Sequence, residues 1–259
     1  MTILCYHSVQ PDWTSPLAVE PAGFAGHCAW LSRSRHVLSL AAAVDRLDSR
    51  GRLPRGTAAL TFDDGFASLH GHAVPVLQRY SFPATVFLVA ATLTAAGHPV
   101  DWVDTAHSEP LRTLSREQIL HMQDAGVDFQ SHSYAHRDLT QLSFAECVAD
   151  LRDSRELLAE LLGRPVRLLA YPRGRHNGQV RAAAERAGYR YAFGLPERAE
   201  RPGRYAIPRV GIYRGNSAST VRVKSSRAYL PVRTTAAFAA VRRGVRLARR
   251  RRTSTPESA

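Results

Sequence analysis

The sequence predicts an α/β fold whose parallel strands close into a barrel-like sheet. Short apolar strands alternate with helical segments over about seven units, the pattern of a parallel sheet with helical crossovers. The candidate reactive residues stand just after strands, on the rim where α/β barrels carry their chemistry. An apolar content of 44% is enough for a sizeable core. The 259 residues suit one large domain, or a domain of about 200 residues with an appendage.

Ile3 to Tyr6 reads as a short buried strand with His7 at its carboxyl end. Pro21 to Leu31 is helical, Val37 to Leu40 is a brief strand, and Ala41 to Arg50 is a helix stopped by Gly51. Thr57 to Phe62 shows almost no alternation, as expected of a strand covered on both faces, and runs directly into Asp63, Asp64 and Gly65. A helical stretch interrupted at Pro75 leads to the strand Ala84 to Val89. The connection from Ala91 to Leu114, with His98, Trp102 and His107, is long enough to shape a groove.

Ser115 caps a helix running to Ala125, closed by Gly126. The strand Val127 to Gln130 then delivers the run Ser131 to His136, SHSYAH. Ser143 to Leu162 keeps a helical period and ends at Gly163; Val166 to Tyr171 is a strand with Pro172, Arg173 and Gly174 at its end. A helix over Gly178 to Ala187, a strand over Tyr189 to Phe193 and a last strand over Tyr205 to Val210 complete the alternation.

Charge is unevenly spread. Residues 1–200 hold 20 basic and 21 acidic groups, and residues 201–259 hold 15 basic groups and the single acid Glu257. The basic character therefore belongs to the end of the chain. Cys5, Cys28 and Cys147 form no CxxC pair and read as free thiols in a reducing compartment.

Carboxylates after one strand and imidazoles after another are a donor set for a catalytic divalent metal with open coordination positions. His132 and His136 are four apart and can share one side of a turn. A metal in such a site lowers the pKa of its water and polarises a carbonyl oxygen. Hydrolysis also needs a base, and Asp63 is the candidate, since it adjoins Asp64 but points differently once the chain turns at Gly65.

TFDDG at Thr61 to Gly65, HSxxH at His132 to His136 and YPRG at Tyr171 to Gly174, in this order, resemble the polysaccharide deacetylases of the NodB-homology group, carbohydrate esterase family 4. CYHSV at Cys5 to Val9 further resembles the branch that holds the poly-N-acetylglucosamine deacetylases. The resemblance implies an irregular (β/α) barrel over residues 1–213, followed by a basic helical or disordered tail over 214–259. It implies metal-dependent removal of N-acetyl groups from the amino sugars of a glycan or glycan precursor. Asp63 would be the base, and Asp64, His132 and His136 the ligands of a divalent metal, zinc first, with Co2+, Ni2+, Mn2+ or Fe2+ as alternatives. Tyr171, Pro172 and Arg173 would line the groove, with the N–H of Arg173 holding an oxyanion, and Trp102 or Tyr171 stacking on a sugar face.

Two positions depart from the family pattern. Ala170 stands where the family has an arginine that orients the base, leaving Arg137, Arg173 and Arg209 as replacements. No histidine follows His176, so the family's late histidine, the proton donor to the leaving amine, is missing; His7 is the first candidate for that role and His176 the second.

Ala236 to Arg252 puts Phe238, Val241, Val245 and Ala248 on one helical face among arginines, a pattern suited to an anionic membrane surface or a polyanion. Nucleic acid is disfavoured, because aromatic interleaving and a binding module are both lacking. With no spanning apolar run and no secretory leader in view, the expectation is a cytoplasmic protein, peripheral to the inner face of the membrane. Its substrate would be an N-acetylated glycan or a lipid-linked glycan. Two further readings fit the same residues: a glycan-binding protein that keeps the metal without turnover, and a two-histidine, one-carboxylate Fe(II) enzyme, against which the second carboxylate, Asp63, argues.

Overall fold

The protein, described by a computed structural model over residues 1–103 and 111–238, is built on one curved parallel sheet. In chain order its elements begin with β1 (Thr2–Tyr6), β2 (Ser8–Val9), β3 (Ala18–Val19), α1 (Pro21–Ser34), β4 (His36–Val37), α2 (Leu40–Arg50) and β5 (Thr57–Phe62). There follow α3 (Val74–Arg79), β6 (Ala84–Leu88), α4 (Arg116–Asp124), β7 (Val127–Ser131), α5 (Phe144–Leu162), β8 (Leu168–Ala170), α6 (Gly178–Arg186) and β9 (Tyr191–Gly194). The last are β10 (Ile207–Pro208), β11 (Val210–Gly211), α7 (Ala218–Lys224) and α8 (Tyr229–Arg233).

The strand order is β10-β9-β8-β7-β6-β5-β1-β11, with β4 on the start of β5. The two outermost strands are joined by one residue, Arg209. The extended run from Ile207 to Gly211 pairs with β9 through its first half and with β1 through its second. One segment thus bridges both edges and nearly closes the barrel.

Side-chain parity decides what faces inward, because successive residues of a strand point to opposite sides. Ile3, Ala59, Phe87, Leu168, Ala170, Phe193 and Ile207 pack together in the barrel interior. Their neighbours of opposite parity, among them Leu4, Leu60, Val86, Phe129, Leu169 and Ala192, pack in the core that includes buried residues of the surrounding helices. Counting on by twos along each strand places Cys5, Thr61, Asp63 and Arg209 in the interior as well.

The helices begin where their caps dictate. Ser115 and Gln118, and likewise Ser143 and Glu146, form reciprocal capping boxes that satisfy amide donors at the starts of α4 and α5. Gly51 and Gly163 end α2 and α5 in the left-handed conformation.

Several expected boundaries shift. Leu40 opens α2 rather than ending a strand, because the Ser39 side chain accepts from Ala42 N and caps the helix. Pro75 does not interrupt its helix: a π-helical turn over Leu69–Ala73 comes first, and the proline sits in the first turn of α3, where its missing N–H has no helical partner to lose. The strand expected over Tyr205 to Val210 is split at Arg209 between two neighbours. Beyond residue 213, α7 packs on α1 and buries Val221. Most of the amphipathic stretch expected over Ala236 to Arg252, and His107 of the long connection, lie outside the described residues.

Candidate active site

The carboxyl ends of β1, β5, β7 and β8 converge on a cavity of about 300 Å3 whose lining includes His7, Asp63, Asp64, His132, His136 and Trp102. The strand ladders run up to its edge. Asp63 N–H still donates to Tyr6 O at 3.0 Å, and His132 N–H donates to Leu88 O at 2.8 Å. The chain then leaves regular geometry: Asp64, Ser133, His136 and Arg173 all have positive φ, at 68°, 71°, 53° and 57°. Four non-glycine residues in this region around one cavity mark strain that the surroundings enforce.

Asp64 Oδ1 lies 3.3 Å from His136 Nε2 and 3.6 Å from His132 Nε2. All three side chains are buried, and one ligand atom from each falls within 4.8 Å of the others. The orientation of His132 is fixed, since its Nδ1 donates to Ala170 O at 2.8 Å and leaves Nε2 facing Asp64. Asp64 Oδ1 is buried without a hydrogen-bond partner. Burial, followed by the neighbouring Asp63 charge, pushes the Asp64 carboxyl well above its ordinary range. Burial also holds both imidazoles in the neutral, ligating form, with His136 down to about 2. An orphaned buried carboxylate oxygen facing two neutral imidazole nitrogens fits a divalent cation.

Asp63 is held differently. Arg209 Nη1 donates to Asp63 Oδ1 and Nη2 to Asp63 Oδ2, each at 2.7 Å, with the guanidinium fully buried. The Cys5 thiol donates to Asp63 Oδ2 at 3.3 Å. Burial alone would raise the Asp63 pKa; the charge of Arg209 and the hydrogen bonds from its guanidinium outweigh it and hold the carboxyl well below the usual range. Cys5, His7 and Asp63 also come within 4.8 Å of one another. Burial keeps that thiol protonated, however, and the arginine fork occupies both carboxylate oxygens, so the first cluster is the better cation site.

Of the three arginines that could stand in for the residue missing at Ala170, Arg209 alone forks Asp63. Arg137 instead bridges to Asp150 at 3.4 Å, and Arg173 lines the cavity. The backbone carbonyl of Ala170 serves the site by orienting His132. His7 lines the cavity with its Nδ1 unpartnered, and burial lowers its imidazole to about 4. His176 lies in a neighbouring cavity, 3.4 Å from Glu200.

Among the expected substrate contacts, Arg173 and Trp102 line the cavity, and Trp102 stacks on His136 at 4.8 Å between centroids. Tyr171 and Pro172 do not. The Tyr171 ring is fully buried and its hydroxyl donates to Tyr205 O at 3.0 Å, so no sugar can stack on it. Asp150 carried no sequence signal, yet it accepts from Tyr134 N at 2.9 Å and pins the loop between the two histidines.

A family model described as polysaccharide deacetylase matches residues 50–192, more than half of the chain. The chain belongs to the polysaccharide deacetylase family. This deacetylase domain is 28% identical over 222 residues to the polysaccharide deacetylase homologue YxkH of Bacillus subtilis (strain 168), covering 85% of this chain and 74% of that one. It is 30% identical over 172 residues to the poly-β-1,6-N-acetyl-D-glucosamine N-deacetylase of Staphylococcus epidermidis, covering 62% of this chain and 56% of the staphylococcal protein. Among solved structures, the deacetylase PplD of Streptococcus pyogenes, in complex with acetate, superposes with a TM-score of 0.74 at 25% identity, over 87% of this chain and 98% of that one. The nearly closed parallel barrel is thus of the NodB type.

Proposed function

We propose that the protein is a metal-dependent deacetylase that removes N-acetyl groups from the amino sugars of a glycan, with β-1,6-linked poly-N-acetylglucosamine as the first substrate to try. The observation that carries this reading is the asymmetry of the two adjacent carboxylates. Asp64 Oδ1 is buried, unpartnered and faces two imidazoles, while Asp63 is forked by Arg209 and kept ionised.

Asp64, His132 and His136 would hold the cation, zinc first for a donor set of two nitrogens and an oxygen. A divalent cation there lowers the pKa of a coordinated water and polarises the acyl oxygen. Asp63 takes the proton of the attacking water as the acetamide carbon is approached. Arg209 fixes both oxygens of that carboxylate, so the base is oriented before substrate arrives. The backbone N–H of Arg173 helps hold the oxyanion at the mouth of the cavity. His7 is neutral in the resting site and close to Asp63; it would take up the proton that Asp63 removes from the attacking water and pass it to the departing amine nitrogen as the C–N bond breaks. Acetate and a free amino sugar leave.

The test is acetate release from β-1,6-linked N-acetylglucosamine oligomers by metal-replete protein. Chelation should abolish release, zinc should restore it, and Asp63→Asn should abolish it while the metal stays bound. If metal-replete protein freed no acetate from any of a panel of N-acetylated glycans, this reading would fall.

A further inference from the structure

The opposite end of the barrel carries another cavity, of about 410 Å3. It opens among the first residues of β1 and β5 and the closing strand, with Thr2, Thr57, Pro208 and Val210 in its wall. Its charged lining is of one sign: Arg35, Lys224 and Arg227, with no carboxylate among its described lining residues. Neither Arg35 nor Arg227 forms an ion pair among the described residues.

The polar groups of the wall divide in a telling way. Thr57 Oγ1 donates to Pro54 O and Thr2 Oγ1 to Ser225 O, so those two hydroxyls are engaged. Ser225 Oγ is not: the residue is 5% exposed and its hydroxyl has no partner. Arg35 Nη1 donates to Ser34 O at 2.8 Å and its guanidinium lies over the Trp30 ring, while Arg227 is exposed; neither has a carboxylate counter-ion among the described residues, and the unpaired buried hydroxyl beside them suits an anion that can accept from all three. Lys224 reports the same field, for burial and then Arg233 lower its ammonium to about 8.

We propose that this basal cavity binds a phosphate group, as a monoester or diester, with the guanidinium groups of Arg35 and Arg227 and the Ser225 hydroxyl as donors. Guanidinium forks match the spacing of phosphate oxygens, and an added hydroxyl donor suits a tetrahedral anion with several acceptors. The site is remote from Asp63 and Asp64, on the opposite end of the strands, so it binds independently of the reaction proposed above. The ligand could be a soluble phosphate compound or a phospholipid headgroup; the chemistry is shared and the test separates the two.

Full-length protein is titrated calorimetrically with inorganic phosphate and with glycerol phosphate. Saturable binding is expected in the wild type and in Asp64→Asn, which removes a candidate cation ligand. The double variant Arg35→Glu/Arg227→Glu, at one half-buried and one exposed position, should weaken binding by about tenfold or more, because each reversal replaces a charge-assisted donor with a repelling acceptor. Ser225→Ala, which breaks no bond in the free protein, should weaken it about threefold to tenfold. In a second arm, vesicles containing phosphatidylglycerol are co-sedimented with wild type and double variant. A lower bound fraction for the variant assigns the site to a lipid headgroup, and an equal fraction to a soluble phosphate. Absence of saturable phosphate binding, binding that the double reversal leaves intact, or binding lost only in Asp64→Asn would each overturn the proposal.

Discussion

Arg209 and Asp63 are 146 residues apart and meet through two parallel 2.7 Å bonds inside a barrel that Arg209 itself helps to close. The same residue is the seam between β10 and β11 and the partner of the proposed base. Closure of the sheet and orientation of the carboxylate are therefore one structural event.

Arg209→Met should expose that coupling. It leaves Asp63 buried beside the Cys5 thiol with no counter-ion, and breaking a buried pair from one side typically costs about 3–5 kcal/mol. Urea unfolding should show a loss of that order, and acetate release should disappear. Arg209→Lys keeps the charge but cannot fork, so it should recover much of the stability and little of the activity. Equal recovery of both would mean that charge alone, not orientation, is what Asp63 needs.

Tyr171→Phe separates packing from recognition. The hydroxyl bond to Tyr205 O ties the end of β8 to the segment before β10, and its loss should lower stability by about 1 kcal/mol. Because the ring does not reach the cavity, the KM for a glycan substrate should not move. A raised KM with unchanged stability would restore the stacking role expected from sequence.

These two residues also mark where sequence was and was not legible. Thr57–Phe62, the cap Ser115 and the strand-end position of His132 were readable because each depends on local pattern: unbroken apolarity, a hydroxyl just before a helical period, a motif at a strand end. Arg209 was visible only as one of three arginines. What selects it is parity with Ile207 in a strand that joins two sheet edges, a property of closure and not of neighbouring residues. Ala170 misled in the other direction, since a lost side chain suggested a missing function while its carbonyl was the working group. Tyr171 failed for a third reason: position at a strand end does not say which way the ring turns.

Lys224 gives the stability curve a feature at high pH. Its Nζ donates to Gly211 O and Asn216 Oδ1, both at 2.7 Å, yet burial and Arg233 lower its pKa to about 8. Between that value and the unfolded-chain value of about 10.4, the unfolded chain binds a proton that the folded chain does not. The penalty is fully present below pH 8, and this group's contribution makes stability rise with pH across the window. Lys224→Met should lose the two hydrogen bonds and, with them, the upward slope. Denaturant midpoints measured at intervals from pH 7 to pH 10.5 would read it; an unchanged slope in the variant would assign the feature elsewhere.

Gly174 sets the mouth of the proposed active site through backbone geometry alone. Its φ is +68°, and a Cβ there would lie 2.7 Å from Leu195 N and 2.4 Å from Leu195 Cβ. Backbone atoms cannot give way as a flexible side-chain end can, and the preceding residue, Arg173, is already at φ 57°. Gly174→Ala should therefore cost about 1–3 kcal/mol, from strain plus overlap, and displace the turn that presents the Arg173 N–H. The matched control is Gly178→Ala at the start of α6, where a Cβ meets nothing within 4 Å and alanine is the better helix former. Thermal unfolding of the pair should separate them in opposite directions. If acetate release fell only for Gly174→Ala, and fell further than its stability loss explains at the assay temperature, the turn would be holding the oxyanion donor in place and not merely closing the fold.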